Sequence, residues 1–530
     1  SSDLLEKALN KARTELEQIL EKATQAAGAK DADIFNAHLM ILDDPALLEQ
    51  VQNGMDESHY TAEYAWYEGT EFYADMLANL QDEYLSARSA DVRDVAQRVL
   101  RILTGKSNRS NFLDKPSVVV ADDLTPSDTV TFDHSKVLAF CTAKGGPTSH
   151  VAILSKALGI PAVTGLNACL HDLKSDLLVI VDGSSGEIIL SPDDETVKKY
   201  RDSSAVNKAR FEKAVASCQQ PAVTPDGHPF EIVANIGSPA DARKSLEFGA
   251  EGVGLLRTEF LFLDRDVEPS EEEQYAVYKE VLEVYGSHPV VIRTLDIGGD
   301  KPASYLKIPQ ELNPFLGVRG ARLAFARPKV FQTQLRAMLR AGVGHNLKIM
   351  FPMIGSLNDV RIANAHVEEA KASLRADDIP FAEDAEIGIM VEIPSAAVMA
   401  DKLAPEVDFF SIGTNDLSQY TMAADRTNAD VATLADALDP AVLRLIQMVV
   451  DAAHKHGKWV GLCGELAGDP LAAPVLVGIG VDEFSMNSRA IPFVKEAIRR
   501  FDLQRAREIA DHVLDQGTVA DVREYLSNLG

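Results

Sequence analysis

Ile387–Pro394 reads IGIMVEIP, and Asp408–Asp416 reads DFFSIGTND. Both are short apolar runs that stop at polar residues, Glu392 in the first and Asn415 with Asp416 in the second. Runs of this length and composition read as buried strands. Six more flank them: FEIVANI (230–236), GVGLLRT (252–258), PVVIRTLD (289–296), LKIMFPMI (347–354), KWVGLCGE (458–465) and DEFSMN (482–487). Helix-type segments separate the eight. That count and alternation predict a C-terminal (β/α)8 TIM barrel over residues 221–530, a fold whose chemistry sits at the C-terminal ends of its strands.

The residues at those ends are chemically coherent. They are Arg257 and Glu259, Arg293 with Asp296 and Lys301, Glu392, Asn415 with Asp416 and nearby Arg426, and Cys463 with Glu465. Two carboxylates from different strands, Glu392 and Asp416, suit Mg²⁺, which takes few protein ligands and leaves positions for phosphate oxygens. Arg257, Arg293 and Arg426 supply planar forks for phosphate and carboxylate, and Lys301 adds a point charge. Such a site wants a small polyanion carrying both groups. Cys463 is unusual for binding alone. A thiol can give a proton to an enolate at neutral pH, whereas the plain alternative is a small buried hydrophobe.

A second signal lies far upstream. GGPTSH, Gly145–His150, puts two glycines, a proline and two hydroxyls in front of one histidine, at the start of the helical run SHVAILSKALGI. Backbone N–H groups at a helix start favour anions, and glycine lets the backbone come close to a ligand. A neutral imidazole is a nucleophile. The loop is therefore read as a phosphohistidine site, with His150 the acceptor.

The rest of the chain divides into different patterns. Residues 1–106 carry helical periodicity in three stretches and predict an antiparallel bundle. Residues 107–191 hold short β-branched runs, PSVVVAD, KVLAFCT, DLLVIVDG and GEIILS, and predict a small α/β domain. Residues 192–220 are polar and helical, a connector before Pro221. The whole is a multidomain α and α/β protein. Its charge is −28, from 52 Lys and Arg against 80 Asp and Glu. No basic cluster offers itself to nucleic acid. No apolar run is long enough to span a membrane and no signal peptide opens the chain. Cys141, Cys169, Cys218 and Cys463 are scattered without metal-ligand spacing, which fits a reducing cytoplasm.

Seven motifs, in order, carry a family resemblance: GGPTSHVAILSKALGIPAV, GAEGVGLLRTEFLFLDRD, RTLDIGGDK, NPFLGVRGARL, IMFPMI, FFSIGTNDLSQY and LCGELAGD. Together they resemble Enzyme I of the bacterial sugar phosphotransferase system, the phosphoenolpyruvate-protein phosphotransferases, over essentially the whole chain. The resemblance implies that His150 is phosphorylated from phosphoenolpyruvate, releasing pyruvate, and passes the group to the histidine phosphocarrier HPr as the first step of sugar uptake. It implies that Arg257, Arg293, Arg319, Asn415, Asp416 and Arg426 bind phosphoenolpyruvate, with Lys301 in the corresponding loop. Glu392 and Asp416 would hold Mg²⁺, and Cys463 would be the proton donor. The α/β domain would swivel, the bundle would dock HPr through His38, Asp43 and Asp44, and the barrel would form a homodimer.

Two departures stand out. The family opens with a short strand before the bundle, which is missing here, so the expectation is a trimmed chain or a piece of a longer protein. Pro147 stands where many members have Arg, as in versions fused to carrier modules. Three rival readings fit the sequence less well. Phosphoenolpyruvate synthase or pyruvate phosphate dikinase would need an ATP-binding domain that the first 110 residues do not resemble. A non-catalytic signalling phosphoprotein would not need the intact barrel-mouth residues. A Mg²⁺-dependent lyase or aldolase would leave GGPTSH unexplained.

Overall fold

The computed structural model describes residues 2–27, 38–78, 83–105, 113, 115–124, 132, 134–144, 151–152, 155, 159–166, 176–263, 265, 267–298, 304–306, 308, 311–428 and 430–529. The chain forms two compact units, Ser1–Asp202 and Ser203–Gly530. His150 and Lys301 lie outside the described residues, as does the rest of GGPTSH.

The first unit begins with the helices Ser2–Ala27, Pro45–Asp56, Ala62–Ala78 and Glu83–Leu103. Leu5, Ala8, Ala12 and Leu16 recur on one buried face and pack with Leu47, Val51, Trp66, Val95 and Val99. The stretch read from Thr61 to Gly105 as one helical pattern is two helices. They run antiparallel, because Trp66 donates to the Ala96 carbonyl while Arg93 reaches back to Glu71 and Asp75. Beyond the bundle, β1 (Ser117–Ala121), β2 (Val137–Thr142) and β3 (Ala162–Val163) form a parallel sheet. β4 (Val179–Asp182) and β5 (Glu187–Leu190) pair as an antiparallel hairpin.

The helix Asp194–Ala216 contains the division between the units. Its C-terminal half is fixed to the second unit. Phe211 packs near Phe248 and Phe493, with the Arg489 guanidinium 4.9 Å above the Phe211 ring. Just past the helix end, buried Lys495 donates to the carbonyls of Cys218 and Gly249 and to Glu251.

After the short β6 (Ala222–Val223), the eight expected strands follow: β7 (Pro229–Ile236), β8 (Val253–Leu256), β9 (Val290–Arg293), β10 (Leu347–Phe351), β11 (Glu386–Val391), β12 (Phe409–Ile412), β13 (Trp459–Leu462) and β14 (Glu483–Met486). Each pairs in parallel with the next, and β14 closes onto β7. The barrel is therefore complete. Alternation sorts the side chains. Phe410 and Ile412 face the surrounding helices, while Phe409 faces inward with Leu255, Val291, Met350, Met390 and Cys463. The wall helices are well capped; Ser270, for one, forms a reciprocal capping box with Glu273.

The floor of the barrel holds charge rather than hydrocarbon. Lys348 pairs with Glu386 at 2.6 Å, and Trp459 stacks on Phe409 and donates to Glu386. Glu483 is buried beside them with no hydrogen-bond partner for either oxygen among the described residues. Burial pushes its carboxyl up to about 8, and Glu231, Asp482 and Glu386 add to the rise while Lys348 opposes it. The folded chain thus keeps a proton that the unfolded chain, with a carboxylate pKa near ~4.3, gives up. That stabilisation is complete below about pH 4 and is lost as pH rises toward 8. Glu483→Gln should therefore gain stability relative to the parent between about pH 5 and pH 8.5. Urea unfolding across that range checks it; parallel stability profiles for the two proteins would refute it.

Candidate active site

The C-terminal mouth of the barrel is built from strand ends, as the sequence predicts. Arg257 follows β8, Arg293 ends β9, Glu392 follows β11, and Cys463 follows β13. After β12, Gly413 leads into the helix Thr414–Met422, which puts Asn415 and Asp416 in its first turn. Arg319 arrives from the loop after β9, ahead of the helix Ala321–Ala326.

These residues form one continuous ionic chain. Arg293 is buried and bridges Glu259 at 3.0 Å and Asp296 at 3.1 Å. Arg319, also buried, grips Asp296 with two nitrogens at 2.9 and 3.2 Å and reaches Asp416 at 3.1 Å. Arg426, half-buried, approaches the same Asp416 oxygen at 3.7 Å. Paired carboxylates hold both Arg293 and Arg319 in the charged form more firmly than usual, against the cost of burial. Tyr420 receives Arg319 at 3.4 Å and donates to the Phe315 carbonyl, so the guanidinium is fixed from both ends.

Glu392 sits deeper. Its Oε1 accepts the Met353 N–H at 2.6 Å. Met353 has φ 56°, a conformation that a non-glycine residue adopts only under local constraint. The backbone is bent here so that its donor meets the carboxylate. Burial raises the Glu392 pKa, and the neighbouring Asp416 and Asp296 raise it further. Three carboxylates crowded against two guanidiniums, with one Glu392 oxygen taken by a backbone donor, are a donor set that a divalent cation would relieve. Oxygen ligands of this kind suit a hard cation.

Arg257 differs from the other arginines. It opens to solvent inside the concave mouth, and among the described residues no carboxylate pairs with it. Surrounding protein and the Arg293 charge lower its pKa. It is the cation left to meet an incoming anion. Cys463 interacts with it electrostatically and is buried with the inward-facing apolar residues. Burial pushes the thiol up to about 11, with Arg293 and Arg257 pulling the other way. At neutral pH the sulfur therefore carries its proton. Gly464 is forced, since a Cβ there would stand 1.8 Å from the Thr414 hydroxyl. Asn415 accepts the Glu465 N–H at 2.9 Å and ties the β12 and β13 loops together.

All the described mouth residues singled out from sequence are thus in one place. Arg257, Arg293, Glu392 and Cys463 interact electrostatically, and the ionic chain adds Arg319, Asp416 and Arg426. The Met353 backbone donor and Tyr420 were not singled out. Both lie in motifs that were, IMFPMI and FFSIGTNDLSQY, but only the fold reveals their bonds. The bundle residues stand differently. His38 is buried, its ring 3.6 Å from both Asp91 and Asp94, because it shares a helix face with buried Leu42. Asp44 caps the helix Pro45–Asp56 and accepts from Tyr73, while exposed Asp43 pairs with Arg13.

Comparison with known proteins places this architecture. Residues 212–503 match the family described as PEP-utilising enzyme, PEP-binding domain. Residues 2–88 match the N-terminal domain of the same enzymes, and residues 113–186 their mobile domain. Fold and matches together define a phosphoenolpyruvate-utilising enzyme. The chain is 46% identical over 528 residues to the phosphoenolpyruvate-protein phosphotransferase of Priestia megaterium, covering 99% of this chain and 92% of that protein. It is also 46% identical over 522 residues to that of Bacillus subtilis (strain 168), covering 98% and 92%. The chain belongs to the phosphoenolpyruvate-protein phosphotransferase family, Enzyme I.

Arg319 is the keystone of the ionic chain. Removing it leaves Asp296 and Asp416 facing each other without their shared cation. Arg319→Ala should destabilise the barrel unit by up to about 3–5 kcal/mol, the usual cost of removing one partner from a buried ion pair, with Arg293 and Arg426 left to hold the two carboxylates. Denaturant unfolding followed on the full chain checks this; an unchanged midpoint would contradict it.

Proposed function

We propose that this chain transfers the phosphoryl group of phosphoenolpyruvate to its own His150 and then to the phosphocarrier HPr, releasing pyruvate, as the first step of a bacterial sugar phosphotransferase system. One observation carries the reading: an exposed guanidinium, Arg257, interacts electrostatically with a buried thiol, Cys463, that burial keeps protonated, in a mouth already lined by Arg293, Arg319 and Arg426. A phosphorylated carboxylic acid needs the first, and the enolate left behind needs the second.

In this mechanism Arg257 meets the substrate phosphate, with Arg293 and Arg426 beside it. Asn415 orients the substrate and Lys301 adds charge from its loop. Glu392 and Asp416 would hold Mg²⁺, whose charge would polarise the phosphate oxygens. The neutral His150 imidazole attacks phosphorus in line, and the fixed guanidiniums stabilise charge spread over the equatorial oxygens. The P–O bond to the enol oxygen breaks as the N–P bond forms. Cys463 then gives its proton to C3 of the enolate.

The bundle, residues 1–106, is the part we assign to HPr, with residues 107–191 carrying His150, residues 192–220 as connector, and residues 221–530 binding phosphoenolpyruvate and forming a homodimer. Asp43 is exposed and Asp44 lies next to it, so both remain candidates for docking. His38, with its ring inside the bundle, is suited to supporting that surface and not to touching a partner. None of the described helices is long and apolar enough to cross a membrane, in keeping with a cytoplasmic enzyme.

His150→Ala should abolish both pyruvate formation and phosphoryl transfer to HPr. Cys463→Ala should slow pyruvate formation by about 10²- to 10⁴-fold, the usual range for losing a general acid, yet preserve phosphoryl exchange between the phosphorylated protein and HPr. Loss of both half-reactions in the cysteine variant would remove Cys463 from the role of proton donor.

A further inference from the structure

The mouth residues explain how Cys463 can give up a proton but not what receives the charge left on sulfur. A hydroxyl is placed for that. Ser411 lies on β12 two residues after inward-facing Phe409, so alternation turns it into the barrel. It stands in register with Gly461 of β13, two residues before Cys463 on the same inward-facing side. Ser411 is buried, and its Oγ makes no well-formed hydrogen bond among the described residues, yet it lies close enough to the Cys463 sulfur to favour the thiolate. A buried hydroxyl without a well-formed hydrogen bond carries a cost unless it serves something.

The sulfur itself is held in place. Cys463 Sγ points its proton at the Ile412 carbonyl, at 3.7 Å, and Cys463 N–H donates to that same carbonyl at 3.0 Å. From β7, one strand beyond β14, Asn235 donates to the Cys463 carbonyl at 2.9 Å and to the Ser485 carbonyl at 3.3 Å. The Ser485 hydroxyl in turn donates to Asn235 at 2.6 Å, which fixes the amide. Cys463 is thereby locked at the seam where β14 closes onto β7.

We propose that Ser411 is a positioning residue for proton transfer at Cys463: its hydroxyl faces the sulfur without a well-formed hydrogen bond while the sulfur is protonated, and donates to the thiolate once the proton has gone. The inference rests on Cys463 being the proton donor. In the step, the S–H bond breaks, a C–H bond forms at C3 of the enolate, and the sulfur keeps the electron pair. That pair then accepts the Ser411 O–H, and solvent returns the proton to sulfur. The hydrogen bond tightens as charge develops, so it favours the reaction more than the resting state. Around the sulfur, Ser411, Arg293 and Arg257 favour the thiolate, while burial and Glu392 oppose it.

The test uses the full-length protein with phosphoenolpyruvate, Mg²⁺, pyruvate and HPr in D2O. It follows pyruvate formation, phosphoryl exchange with HPr, and deuterium entry into the pyruvate methyl group, each across pH. A lost charge-assisted hydrogen bond corresponds to roughly 10- to 100-fold in rate. Ser411→Ala should slow pyruvate formation by that factor and move the pH profile of methyl exchange upward. Exchange with HPr should be unchanged, and Ser411→Thr should restore the rate. If Ser411→Ala matches the parent while Cys463→Ala loses methyl exchange, the proposal fails and the cysteine's role stands. If Cys463→Ala keeps methyl exchange, both fail. If Ser411→Ala also loses exchange with HPr, or Ser411→Thr gives no rescue, the hydroxyl is structural and the proposal is overturned.

Discussion

The site depends on the double grip of Arg319. One buried guanidinium holds Asp296 with two nitrogens and Asp416 with a third contact, and so links the loop after β9 to the helix after β12. Buried charges persist only when paired, and here the guanidinium and the two carboxylates pair with one another. Arg293 repeats the arrangement with Glu259 and Asp296. Two cations and three anions therefore satisfy one another before any ligand arrives. That leaves Arg257 available, and it explains why the mouth can attract a polyanion although the chain as a whole is strongly acidic.

The barrel places two kinds of charge at opposite ends. The C-terminal mouth holds the guanidinium lattice and the protonated thiol. The floor holds Glu483, Glu231, Lys348 and Glu386 around the Phe409–Trp459 stack. Between the two ends, a layer of Leu255, Val291, Met350 and Met390 isolates one from the other. Cys463 belongs to both the apolar layer and the mouth. Its burial is what keeps the thiol protonated, so the ordinary reading of a buried cysteine and the functional reading describe the same placement.

Much of this was legible beforehand, for physical reasons. The barrel strands are four- to eight-residue runs, mostly apolar and mostly buried, β8 on both faces, and a polar residue at the end marks where the barrel opens. Glu392, Asp416 and Cys463 could be found that way because their chemistry and their position agree. What could not be read were contacts that only closure creates. The Asn235 bond to Cys463 spans 228 residues, and nothing near either residue announces it. The positive φ of Met353 has no glycine to signal it. In the bundle, the split between Ala62–Ala78 and Glu83–Leu103 falls in a stretch without glycine or proline, so periodicity alone ran through it. His38, named for the docking surface from the resemblance of its segment, is buried, and its four-residue spacing from Leu42 is what puts it on the inner face.

The central claim is that the barrel mouth loads a phosphoryl group onto His150. It is tested most directly by incubating the protein with labelled phosphoenolpyruvate and Mg²⁺ and mapping acid-labile phosphate by mass spectrometry. The account predicts label on the peptide containing GGPTSH and none in His150→Ala. An unlabelled but folded protein, or label that persists without His150, would contradict it.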